Sequence, residues 1–105
     1  MPKYILGFHG GGDMPTDPAV AEKSMAAWID WYKAMGDAVI DMGTPAMAKK
    51  TVAAGGRIFD GGGANPLTGY SIIEAGSIDQ AVTLAKGCPI YAANGSVEVG
   101  ELLAM

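Results

Sequence analysis

The feature that most limits what this chain can fold into is a repeating apolar stripe. Ala21, Met25, Trp28, Tyr32, Met35, Val39 and Met42 follow one another at alternating steps of four and three. That spacing keeps returning to one side of an α-helix, and it predicts a helix of about 25 residues. Asp17-Pro18 supplies its start: Asp can cap free amides, and Pro is tolerated at the first helical position. Lys23, Asp30 and Asp37 recur every seven residues on another, solvated face. Gly43 is the expected stop, as a residue that accepts positive φ at low cost, and Pro45 follows it.

Strands flank this helix. "KYILGF" (Lys3–Phe8) is aromatic, β-branched and leucine-rich, a good first strand. "HGGGDMPTDP" reads as a loop. "KKTV" and "GRIFD" are ambiguous: each is a short strand, or the two form a hairpin. "LTGYSIIEA" (Leu67–Ala75) is a strand, and Ser77 to Gln80 matches a capping box that opens a short helix running to Lys86. "GSVEVGEL" alternates polar and apolar residues, as a last strand with one covered face does. The order is β-α-β-β-α-β, an α+β ferredoxin-like arrangement with an antiparallel sheet and both helices on one face. Tyr4, Leu6 and Phe8 alternate with Lys3, Ile5, Gly7 and His9. Apolar residues stand in both registers, so both faces of the first strand are expected to be covered.

The bulk numbers narrow the classes. A chain of 105 residues is one domain, 1–105, and buries roughly 65% of its unfolded surface. Half of it is hydrophobic, which excludes a disordered chain. Seven basic against eleven acidic residues give a net charge of −4, and no basic cluster exceeds Lys49-Lys50. Nucleic-acid binding is not expected. With one Cys and one His, a Cys/His zinc site within a single chain is excluded. The first apolar run ends after about five residues, too short for a signal peptide or a membrane span. The expected location is the cytoplasm.

From Arg57 to Leu102 the chain resembles the YCII-related family, also called DGPF-domain proteins. In that family a strand ends in Asp-Gly-Pro-Phe. A "GGYYLIE" type strand, a "D-x-x-A" helix, a "CP" turn and a "SIEV" strand follow. This chain has Asp60-Gly61, Gly69-Tyr70 with Ile72-Ile73-Glu74-Ala75, Asp79-Gln80-Ala81, Cys88-Pro89 and Ser96-Val97-Glu98-Val99. The opening strand, the long helix and "MGTPAM" also suit it. Gly62-Gly63 replaces the family's Pro-Phe. The histidine that some members carry in the first helix is absent from Met25–Trp31. The resemblance implies a dimeric α/β barrel, two sheets facing each other around a pocket. A C2 homodimer would cover the second sheet face.

The candidate chemistry is sparse. "FHGGG" after a strand invites comparison with a hydrolase oxyanion loop. However, Ser24, Ser71, Ser77 and Ser96 all lie outside a G-x-S-x-G frame, and the chain is far too short for that fold. His9 is either a strand-end histidine or a general base at the mouth of a pocket. Asp60 either initiates a turn or orients His9. Tyr70, its neighbour Ser71, and Trp31 are the candidate ligand contacts. For Tyr70 and Trp31 the competing reading is packing. Trp28 and Tyr32 lie on the apolar stripe and are expected in the core, and Cys88 reads as a small buried apolar residue. No metal or organic cofactor is expected. Two activities stay open: a cofactor-free acid–base enzyme using His9 and Asp60 on a small organic molecule, or a noncatalytic dimeric module that binds a small ligand or a partner.

Overall fold

The computed structural model describes residues 1–11 and 16–104. The middle of the loop expected over "HGGGDMPTDP", Asp13 included, lies outside the described residues.

Strand β1 (Lys3–His9) is the spine. Tyr4, Leu6 and Phe8 alternate onto one side and are buried. β1 pairs antiparallel with β5 (Leu67–Glu74) on one edge and with β6 (Ser96–Glu101) on the other. A third antiparallel pairing adds β2 (Val39–Asp41) to β5, so the order is β2-β5-β1-β6. Helix α1 (Pro18–Met35) sends Trp31 and Met35 into the core, and α2 (Ile78–Ala85) sends Ala81 and Ala85. These side chains meet Tyr4, Leu6, Phe8 and Ile73 in one cluster. The protein is therefore α+β, two helices with an antiparallel sheet, compatible with a ferredoxin-like fold. No helix among the described residues is long and apolar enough to cross a membrane.

The helix starts follow the sequence closely. Asp17 accepts a hydrogen bond from the Ala19 amide at 2.9 Å, with Pro18 in the first turn. Ser77 accepts from the Gln80 amide at 3.2 Å, while Gln80 reaches back one residue further than a capping box predicts, to the Gly76 amide at 2.7 Å.

The end of α1 corrects the expected length. It has 18 residues and stops at Gly36, whose φ of 56° only glycine adopts readily. One 3₁₀ turn (Gly36–Ala38) intervenes, and Val39 then enters β2 opposite Ile73. Val39 and Met42 thus carry the helical spacing by coincidence. Gly43 follows a strand rather than a helix, and it is needed there. A Cβ would lie 1.8 Å from the Tyr70 carbonyl oxygen, and φ is 69°.

The ambiguous segments form a separate hairpin of β3 (Lys50–Val52) and β4 (Ile58–Asp60), a two-stranded sheet of its own. The second strand of the main sheet is consequently Val39–Asp41, not a strand from this region. Val52, Ile58 and Phe59 are exposed, and Lys50 pairs with Asp60 across the hairpin at 2.6 Å. A lone two-stranded hairpin is marginal in water.

Both faces of β1 carry apolar residues, as the sequence suggests. Within one chain the helices cover a single face. On the other, Ile5 stands opposite Ile72 and Gly100, and Ile5 and Leu67 are exposed.

The tryptophans exchange the roles expected of them. Trp31 is 7% exposed, belongs to the core, and donates its indole N–H to the Leu84 carbonyl at 3.0 Å. Trp28 packs against the core without being buried. Trp31→Ala should cost about 3–5 kcal/mol and Trp28→Ala about 1–2 kcal/mol. Urea denaturation of both variants checks this, and an equal or inverted pair of values would contradict the assignment.

Candidate functional site

The site follows from strand alternation at the end of β1. Phe8 points to the helix side, and the next residue, His9, must point to the opposite side. On the helix side, α1 turns Met25, Trp28 and Tyr32 toward Phe8 and the far end of β5. Together they enclose a cleft of about 450 Å³. The turn Met42–Pro45 forms a second wall, Ile90 closes one end, and Thr68, Gly69 and Tyr70 form part of the floor. This volume lies within the usual range of small-molecule sites, about 300–1,000 Å³.

The aromatic wall is fixed by its own contacts. Phe8 and Trp28 meet edge to face, with centroids 5.2 Å apart and planes at 85°. Trp31 stands behind them, 5.6 Å from Trp28 and 5.0 Å from Tyr32. Such geometry is the favoured one for aromatic pairs. It holds the rings in place without needing a ligand to order them.

Beneath the cleft lies a hydroxyl relay. Ser71, fully buried, donates to the Met42 carbonyl at 2.6 Å, and its oxygen is 2.7 Å from the Tyr32 hydroxyl. The Tyr32 hydroxyl is also 3.3 Å from the same carbonyl. The relay ties α1, β5 and the turn after β2 together at one point. Burial raises the Tyr32 phenol above its ordinary pKa, and the hydrogen bond with Ser71 only partly offsets this. Tyr32 is a neutral phenol at pH 7. Thr68 donates its hydroxyl to the Phe8 and Gly10 carbonyls, each at 3.1 Å.

The residues expected from sequence are distributed as follows. Tyr70 lines the cleft. Ser71 lies beneath it and Trp31 behind it, and neither belongs to its lining. His9 and Asp60 are not brought together. Asp60 sits on the β3–β4 hairpin with Lys50 as its partner. His9 is clamped on the open sheet face, where Nδ1 lies 3.0 Å from the Asn65 carbonyl and Nε2 3.1 Å from Glu98 Oε1. A carbonyl only accepts, so Nδ1 is the donor there. The partner of His9 is thus Glu98, itself 77% exposed. The alternation of "SVEVGE" carried that signal, since inward Val97 and Val99 turn Glu98 outward. The 89-residue separation hid it. Phe8, Met25, Trp28 and Tyr32 were legible as apolar positions but not as a cleft wall.

Among the described residues, none lining the cleft carries a charge, and no group of three or more His, Cys, Asp or Glu side chains is placed to hold a metal ion. Cys88 is buried next to the cleft-lining residues Pro89 and Ile90. Burial pushes its thiol up to about 11, partly countered by a backbone hydrogen bond from Ile90.

No protein-family model matches the chain, and no match is found among curated proteins.

The state of Cys88 is directly testable. A thiol held near 11 is protonated at pH 8, and thiolate is the reactive form. Ellman's reagent should label the native protein at least about tenfold more slowly than the urea-unfolded chain. The folded value lies above the ordinary one of 9.0, so the unfolded state loses this proton first as pH rises. The associated stabilisation is full below pH 9 and fades as the pH climbs toward 11, which denaturation at pH 8 and pH 10.5 should register as a loss. Rapid native labelling would place Cys88 at the surface.

Proposed function

We propose that this protein is a noncatalytic small-molecule-binding module of YCII-related type, acting as a homodimer built on ferredoxin-like sheets. One observation carries the reading: a formed, largely apolar cleft between α1 and the ends of β1 and β5, with rigid aromatic walls and no charged side chain among its described lining residues. Such a site has what binding needs, namely apolar area and a few fixed polar atoms. Among its described lining residues there is no base of the kind proton abstraction needs. His9 faces away from it, and Asp60 lies on another element. The motif order from Asp60-Gly61 to Ser96–Val99 supports the family. The proposal keeps the cytoplasmic location expected from the sequence.

The dimer part of the reading is supported by the open sheet face. Ile5, Leu67 and Ile72 stand there in paired register, flanked by Lys3 opposite Glu74 at one end and by the His9–Glu98 contact at the other. A second copy related by C2 symmetry buries such a self-complementary patch, sheet against sheet, as in a dimeric α/β barrel.

One observation favours the acid–base reading instead. His9 and Glu98 form an imidazole–carboxylate pair on that open face, and a facing sheet would enclose it. Against it, the Asn65 carbonyl and the Glu98 carboxylate both only accept, so in this arrangement neither ring nitrogen offers a base's free lone pair, and Glu98 is mostly solvated.

Two measurements test the proposal. N-phenyl-1-naphthylamine, a neutral fluorescent probe, should bind at one site per chain with micromolar affinity, and Met25→Lys in the cleft wall should abolish the signal. No binding at 100 µM-scale probe, roughly the weak end for such sites, sinks the cleft reading. By light scattering the protein should show twice its chain mass of 10.7 kDa. Ile5→Asp should convert it to a folded monomer, and a monomeric mass for the unaltered protein would overturn the dimer.

A further inference from the structure

Resting on the dimer reading above, we infer that the β3–β4 hairpin is an arm that clasps the second copy of this chain, laying Val52, Ile58 and Phe59 against it. All six strand residues of the hairpin are exposed. Val52 and Ile58 stand opposite each other and share one face. Phe59 points to the other, with the Arg57 guanidinium 5.7 Å from its ring centre. Val52, Ile58 and Phe59 are 70%, 65% and 50% exposed, so apolar side chains meet water on both faces of an element that is marginal on its own. The arm nonetheless holds a direction. At its tip the Ala53 amide donates to the Arg57 carbonyl at 2.7 Å. At its base the Gly61 amide donates to the Lys49 carbonyl at 3.0 Å, and the Thr51 hydroxyl to the Gly61 carbonyl at 2.8 Å. It also reaches outward. The radius of gyration is 15.0 Å, against about 13 Å for a compact chain of this length. The molecule is a slab 19 Å thick, which one sheet and one helix layer already occupy. The arm therefore extends in the plane of the slab and does not fold back over its own sheet.

Three observations choose a second copy as the occupant. The first is where the arm is rooted. The chain enters it from beside β5, where the Ala46 amide donates to the Thr68 carbonyl at 3.0 Å. It leaves through Asn65, whose carbonyl accepts the His9 Nδ1 proton at 3.0 Å on the open sheet face. The arm thus continues the face that the dimer uses. The second is area. A standard interface buries roughly 800 Å² per partner, while a fully exposed aliphatic side chain supplies only about 60–120 Å². Ile5, Leu67 and Ile72, each partly covered, fall far short alone, and the arm adds three more exposed apolar side chains. The third is charge. From Lys49 to Asp60 the arm holds three of the seven basic residues and one of the eleven acidic ones. A cationic arm on a chain of net charge −4 finds the opposite charge on another copy, where Glu98 is 77% exposed on the sheet face.

Amide hydrogen exchange and light scattering over a dilution series test the clasp. In the dimer the amides of β3 and β4 should exchange at least about tenfold more slowly than in the diluted monomer. The combined variant Val52→Ser, Ile58→Ser, Phe59→Ser should raise the dimer dissociation constant at least about a hundredfold, with β5 amides still protected. In Ile5→Asp, which breaks the sheet patch, the arm amides should lose their protection along with the partner. Exchange in the unaltered protein decides even if a variant fails to fold. A dimer whose arm exchanges as fast as the monomer's, or a triple variant that dimerises normally, overturns the clasp and leaves the sheet-face dimer standing. A monomeric mass for the unaltered protein at every concentration overturns both. A mass above twice that of the chain places the arm on a third copy and overturns the two-chain clasp. Binding to vesicles of phosphatidylserine and phosphatidylcholine that the triple variant loses would assign the arm to a membrane surface and overturn it equally.

Discussion

A hydroxyl with no access to water must find its partners inside the protein, and much of this structure is organised around the way Ser71 does so. Its oxygen sits where three elements converge: β5, which carries it, α1, which brings Tyr32, and the turn after β2, which brings the Met42 carbonyl. An unmatched buried hydroxyl costs about 1–3 kcal/mol, comparable to the net worth of one large core side chain. The three elements therefore cannot drift apart independently. The relay sets the distance between α1 and the turn, and that distance is the width of the cleft. Gly43 belongs to the same constraint: a side chain there would strike the Tyr70 backbone and push the turn off its partner.

The division of labour at the end of β1 has an equally simple origin. Consecutive residues of a strand face opposite ways, so Phe8 and His9 belong to different sites although they are neighbours in sequence. Phe8 joins the aromatic wall. His9 joins β1 to Glu98 on β6 and to Asn65 ahead of β5, a clamp across three segments on the side away from the cleft. "FHGGG" draws the eye as a single motif, but the sheet splits it.

The sequence was legible where the signal is local. Asp17-Pro18 and Ser77–Gln80 start helices because caps depend on residues two or three positions apart. β1, β5 and β6 were long enough to show their period. The sequence misleads where a short element imitates its neighbour. Val39 and Met42 continue a four-and-three spacing, and a three-residue strand is too brief to display a period of two, so the spacing hides Gly36 as the stop. Spacing also could not separate Trp28 from Trp31. Both lie near the stripe, and which one reaches the core depends on how α1 is rotated over Phe8. The cleft was hidden for the same reason. An apolar helix face reads identically whether it is filled by core or lines a cavity. His9's partner was out of reach because only the β1–β6 register puts Gly7 opposite Glu98.

The sheet of this small domain presents apolar residues on both faces, and one chain supplies helices for only one. On the helix side, coverage stops short of the end of β1. The last turn of α1 is buried through Trp31 and Met35, while its first turns stand off, with Met25 57% exposed. That leaves a concavity rather than a second core layer. On the open side, Ile5 and Leu67 are exposed, and Ile72 stands opposite Ile5. The two faces argue for different occupants. An exposed apolar sheet face suits a second sheet, and the proposed dimer uses it. A walled cleft excludes a second sheet but admits a small ring, and its rigid edge-to-face aromatics keep it open at little ordering cost on binding. The open sheet face and the cleft are therefore separate surfaces, suited to separate partners.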